Sequence, residues 1–124
     1  MKSTKTARMR RVLIVEDDAD ALELLASWTG QQGWEVRTAH SGEEALEIGK
    51  GFRPHLLIVD YLLRGEVNGL DVIERLKRDV QQLRCVLVTG LLGNALSEDV
   101  RRLHGVPILT KPFDFNRLGE LLAS

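Results

Sequence analysis

The sequence predicts an α/β fold in which a parallel sheet is covered by helices on both faces. Three observations predict it. The runs Val12-Leu13-Ile14-Val15, Leu56-Leu57-Ile58-Val59 and Val86-Leu87-Val88 are apolar without alternation, as strands buried on both faces require. Strand-like and helix-like segments alternate five times, with no repeat and no linker. Each run ends at, or enters, a polar residue: Glu16-Asp17-Asp18, Asp60 and Thr89, and later Ile108-Leu109-Thr110 leads to Lys111-Pro112. In such sheets ligands bind beyond the carboxyl ends of the strands. One sheet edge would therefore collect carboxylates, a hydroxyl and an ammonium, a set that can hold a divalent cation and accept a phosphoryl group.

The elements follow in order. The first helix is expected from about Ala19 to Gln32, with Ala21, Leu24, Leu25 and Trp28 on one face and Asp18 as its cap. Gly33 is placed to end it. Trp34-Glu35-Val36-Arg37-Thr38 alternates like a half-exposed edge strand. Ser41 reads as an N-cap, with Glu44 three residues on to complete a capping box. That helix runs to about Lys50, and Gly51 and Pro54 punctuate the turn into the third strand. A loop from Tyr61 to Asn68 contains Gly65 and closes at Asn68-Gly69. The third helix turns Leu70, Ile73 and Leu76 inward. A fourth helix carries the stripe Leu96, Val100 and Leu103, with Glu98, Asp99, Arg101 and Arg102 on its wet side. Pro107 cannot donate to a ladder, so the fifth strand belongs at an edge. The last helix is expected from Asn116 to Leu122, and no second domain is expected within these residues.

A chain of 124 residues fits one domain, with 44% hydrophobic residues, 28% charged residues and a net charge of −1. That balance exerts no global pull towards nucleic acid. The single Cys85 cannot form an internal disulfide and opens an apolar strand, where it behaves as a small buried hydrophobe. No apolar stretch approaches the ~20 residues needed to span a bilayer, and no signal-peptide core is present. Neither a membrane nor a nucleic-acid partner is expected, and the expected location is cytoplasmic. Residues 1–9 are expected to form a basic, flexible tail, and the domain is expected to occupy 10–124. His40, His55 and His104 are scattered without ligand spacing.

Val-Glu-Asp-Asp after the first strand, Asp60 after the third, Thr89 after the fourth and Lys111-Pro112-Phe113 after the fifth resemble one pattern. It is that of the receiver domain of bacterial two-component response regulators. The resemblance covers about residues 10–122. Each match alone has an ordinary structural explanation as a cap, a β-former or a turn. Together, at strand ends, they are specific. The resemblance implies a flavodoxin-like doubly wound five-stranded parallel sheet in the order 2-1-3-4-5.

It also implies roles. Asp60 would accept the phosphoryl group, since a carboxylate can form an acyl phosphate. Glu16, Asp17, Asp60 and the backbone carbonyl of Leu62 would hold Mg2+, which prefers oxygen ligands. Lys111 would pair with phosphoryl oxygens, Thr89 would donate its hydroxyl to one, and Lys111-Pro112 would be cis. The donor would be a sensor histidine kinase or a histidine phosphotransfer protein. Output would pass to a downstream protein target, with a phosphorylation-dependent homodimer as one form.

Three departures stand out. Arg64 occupies the position of a common Pro, and Gly69 lies nine rather than eight residues past Asp60. Ile108 replaces the usual aromatic three residues before Lys111. The usual ring swing is thereby removed, which predicts that phosphorylation moves the fourth helix and the loop from Gly90 to Asn94 more than the fifth strand. Leu62 and Leu91 flank the site and cannot orient water, which predicts slow self-dephosphorylation. Two other functions compete. A haloacid-dehalogenase-like phosphohydrolase would need a second Asp where Leu62 stands, and a cap. A phosphorylation-independent interaction module would be indifferent to loss of Asp60.

Overall fold

The computed structural model describes residues 9–90 and 105–123. The expected fourth helix, Leu91 and His104 fall outside them, as do the tail residues before Met9. Five strands, β1 (Arg11–Val15), β2 (Glu35–Ala39), β3 (Leu56–Asp60), β4 (Arg84–Thr89) and β5 (Ile108–Thr110), form one sheet. All neighbours are parallel, in the order β2-β1-β3-β4-β5. The described helices are α1 (Ala19–Gln31), α2 (Gly42–Phe52), α3 (Gly69–Asp79) and α4 (Phe115–Ala123). The expected sheet order and the edge position of β5 are therefore observed.

The unalternated runs bury both faces because successive side chains of a strand point to opposite sides. Leu13, Val15, Leu57, Val59, Cys85 and Leu87 pack on one face against Ala45 of α2 and Leu70, Ile73 and Leu76 of α3. Val12, Ile14, Leu56, Ile58, Val86 and Val88 pack on the other against Leu22 and Leu25 of α1 and Leu118, Leu121 and Leu122 of α4. Each fully buried aliphatic side chain contributes about 1.5–3 kcal/mol. Cys85 belongs to the first layer, and burial pushes its thiol pKa up to about 12. Ile108 is half-buried against the same layer.

Several local expectations need correction. On α1 the buried face is Leu22, Leu25 and Thr29, while Leu24 is 51% exposed. The buried stripe is rotated from the expected one, and it tolerates Thr29 because the Thr29 hydroxyl donates to the Leu25 carbonyl at 2.8 Å. Asp18 stands at the N-cap of α1 but its side chain makes no capping bond. Gly33, with φ +95°, follows the helix as expected. Trp34 precedes β2 and is buried rather than lying on the strand.

Ser41 does cap α2 by accepting the Glu44 N–H at 3.1 Å. The Glu44 carboxylate takes the N–H of His40 at 2.6 Å, so the box closes one residue early. The helix continues past Gly51 to Phe52 and stops at Arg53 in the left-handed region. The full capping box is on α3, where Asn68 accepts from Asp71 N–H and the Asp71 carboxylate accepts from Asn68 N–H. His55 is structural: its Nδ1 accepts the N–H of Arg11 at 2.9 Å. Burial, then the charges of Arg11 and Arg10, hold its pKa below the usual value. No described helix is long and apolar enough to cross a membrane.

Candidate functional site

The parallel sheet sends every strand's carboxyl end to one edge, and the backbone pins those ends together. Glu16 N–H donates to the Ala39 carbonyl at 3.1 Å, Tyr61 N–H to Val88 at 2.8 Å and Lys111 N–H to Thr89 at 2.9 Å. Asp60 is thereby registered opposite Val88, and Thr89 opposite Thr110. The loop from 61 to 68 returns to the same place. Gly69 donates to the Tyr61 carbonyl, and any Cβ at Gly69 would collide with the Asp60 carbonyl oxygen. The extra loop residue is absorbed before Gly69, which makes the close approach itself.

Glu16, Asp17, Asp60 and Lys111 converge at this edge. One carboxylate oxygen from each of Glu16, Asp17 and Asp60 lies within 4.8 Å of the others. Lys111 Nζ lies 2.8 Å from Glu16 Oε1 and donates to Asp60 Oδ2 at 3.0 Å. Glu16 is 1% exposed and Asp60 6%. Glu16 Oε2 accepts the N–H of Asp18 at 3.1 Å. Glu16 Oε1 is buried too, and its charge partner is the Lys111 ammonium. Burial pushes the Glu16 carboxyl above its ordinary range and nearby Asp60 adds to this, while Lys111 and the Asp18 N–H oppose it. Burial works to lower the pKa of Lys111, but its bonds to Glu16 and Asp60 outweigh that and raise it. The ammonium is therefore fixed as a cation at neutral pH.

Thr89 is buried at the end of β4, with its carbonyl holding Lys111. Leu62 sits on the departing loop, its N–H donating to Asp60 Oδ1 at 3.3 Å and the residue 59% exposed. Lys111-Pro112 is cis. One contact was not foreseen. Arg64, noted in the sequence only as a departure, donates its N–H to Asp17 Oδ2 at 3.1 Å and places Nε 3.6 Å from the same oxygen. Its sole signal was a positive charge on a loop that returns towards acids.

Chemically, three converging carboxylates, two of them buried, form an all-oxygen set among the described residues that suits a hard divalent cation such as Mg2+. The fixed ammonium suits an anion beside it. A separate cavity of about 310 Å3, lined by Leu56, Leu83, Cys85 and Pro107 among others, lies at the opposite ends of the strands, away from these groups.

The family model described as the response regulator receiver domain matches residues 12–123. The chain belongs to that family. Receiver domains are signalling modules of two-component systems rather than conventional enzymes, and response regulators interact with histidine kinases and downstream targets. This receiver is 32% identical over 114 residues to Regulator of RpoS of Escherichia coli K12, covering 91% of this chain but 34% of that protein. The chain thus spans about a third of the length of that relative. It is 30% identical over 118 residues to the polar-differentiation response regulator DivK of Brucella ovis, covering 93% of this chain and 94% of DivK. Among solved structures, response regulator TrrA of Thermotoga maritima, in complex with Mg2+ and BeF, superposes with a TM-score of 0.81. It is 28% identical and is matched over 93% of this chain and 97% of that one.

Proposed function

We propose that this receiver accepts a phosphoryl group on Asp60 from a phosphohistidine donor, a sensor histidine kinase or a histidine phosphotransfer protein. The observation that carries the reading is Lys111 Nζ bridging Asp60 Oδ2 and Glu16 Oε1 within one acidic pocket. A carboxylate oxygen of Asp60 attacks phosphorus as the P–N bond breaks, and the imidazole nitrogen keeps that bond's electron pair. The reaction asks mainly for positioning and charge neutralisation. Lys111 supplies one fixed positive charge beside the acceptor and follows the phosphoryl oxygens once they are bonded to it. Thr89, at the end of the adjacent strand, donates its hydroxyl to a second phosphoryl oxygen. Glu16, Asp17, Asp60 and the backbone carbonyl of Leu62 would hold Mg2+, which when bound neutralises charge on the transferred group.

Modification shifts a conformational equilibrium and so changes which protein partner binds. Its location in the cytoplasm, where a kinase would meet it, belongs to the same reading. Incubation with acetyl phosphate and Mg2+, followed by intact mass measurement, tests the acceptor chemistry. A gain of one phosphoryl group is expected in the native chain and none in Asp60→Asn or with a chelator. An equal gain in Asp60→Asn would refute the assignment.

A further inference from the structure

Arg64 is, with Lys111, one of two cations that reach the acidic pocket among the described residues. Lys111 enters from inside and touches Glu16 and Asp60. Arg64 enters from solvent, with its side chain 90% exposed, and takes Asp17, whose side chain is 19% exposed. Its two contacts fall on one atom, Asp17 Oδ2: the backbone N–H at 3.1 Å and Nε at 3.6 Å. Asp17 is also a member of the oxygen set that suits a divalent cation. A guanidinium and a doubly charged ion on the same carboxylate repel one another. Three carboxylates and two cations leave the pocket near a single negative charge; without Arg64 it would carry one more.

We propose that Arg64 is a resident counter-cation: its guanidinium holds Asp17 until a divalent cation displaces it, and so sets the cation affinity of the pocket. This rests on the Mg2+ reading above. An exposed ion pair is weak, so displacement is easy and the effect is a graded tuning of affinity rather than a lock. The backbone N–H bond ties the loop from 61 to 68 to the turn after β1 and does not depend on the side chain. A side chain that only braced this loop would, on removal, loosen Asp17 and weaken cation binding. Competition gives the opposite sign.

Titration calorimetry of the whole chain with MgCl2 alone, at low ionic strength, separates these. Arg64→Ala is expected to bind Mg2+ about three- to tenfold more tightly than the native chain, from loss of one nearby, solvent-screened charge. Arg64→Lys keeps the charge and is expected within about twofold of native. The gain in Arg64→Ala should shrink at ~0.5 M monovalent salt, where exposed charges are screened. Equal or weaker binding by Arg64→Ala overturns the proposal, as does Arg64→Lys binding as tightly as Arg64→Ala. In both of those cases the Mg2+ site itself stands, provided Asp17→Asn abolishes binding. If neither the native chain nor Arg64→Ala binds Mg2+, the metal assignment fails and this proposal with it.

Discussion

Lys111 sits between two buried acids that would otherwise face each other. Removing one member of such a set leaves uncompensated charge, although the 31% exposure of the Lys111 side chain lets solvent screen part of it. Lys111→Ala is expected to lose about 1–2 kcal/mol in urea denaturation without divalent cations, with Mg2+ recovering part of the loss. An unchanged midpoint would contradict the pairing. Leu62 governs a different step. Its aliphatic side chain is exposed beside the acceptor and offers no group to orient an attacking water. Phospho-Asp60 is therefore expected to decay over minutes or longer, and a half-life of seconds in a phosphate-release assay would oppose this. At this scale the carboxylates, Thr89 and Lys111 were legible because strand ends in a parallel sheet must share an edge. Arg64 was not, because its contact depends on how a lengthened loop folds back, which residue spacing does not specify.

Among the elements, α3 ties the acceptor loop to the core. Its capping box satisfies two backbone donors reciprocally, and Asn68→Ala is expected to cost about 1 kcal/mol, seen as a fall in Tm of about 4 °C. No change would mean that water replaces the cap without loss. Strand β4 carries a pH signature. The Cys85 thiol is raised from 9.0 to about 12, so below pH 9 it is neutral in both folded and unfolded chains. Between pH 9 and 12 only the unfolded thiol ionises, and stability falls as pH rises. The stability difference between the native chain and Cys85→Ala should narrow by about 1 kcal/mol from pH 8 to pH 10. A constant difference would place the thiol in contact with water. Strands were the most legible elements, because an unalternated apolar run admits burial on both faces. Helix faces were less so. The α1 stripe was expected through Leu24, yet the helix buries Thr29, whose hydroxyl has its own carbonyl partner, and leaves Leu24 exposed. The end of α2 moved from Gly51 to Arg53 because a non-glycine residue adopted the left-handed conformation.

For the whole molecule, topology does what no single segment could. The order β2-β1-β3-β4-β5 sets β3 beside both β1 and β4, so Asp60 lies between the acids after β1 and Thr89 after β4, with Lys111 after β5 completing the edge. Like charges at that edge oppose folding, so a divalent cation that binds only the folded chain stabilises it by mass action. At ten times its Kd, Mg2+ is expected to add about 1.4 kcal/mol and to raise Tm by about 5 °C. A Tm indifferent to millimolar Mg2+ would count against the pocket. The central claim is that this edge directs a phosphoryl group to one carboxylate, and locating that group tests it most directly. The chain would be phosphorylated with acetyl phosphate and Mg2+, trapped by borohydride reduction of the acyl phosphate, and mapped by peptide mass. Reduction at residue 60 alone, dependent on Mg2+, is the expected result; reduction at another residue, or at none, would contradict it.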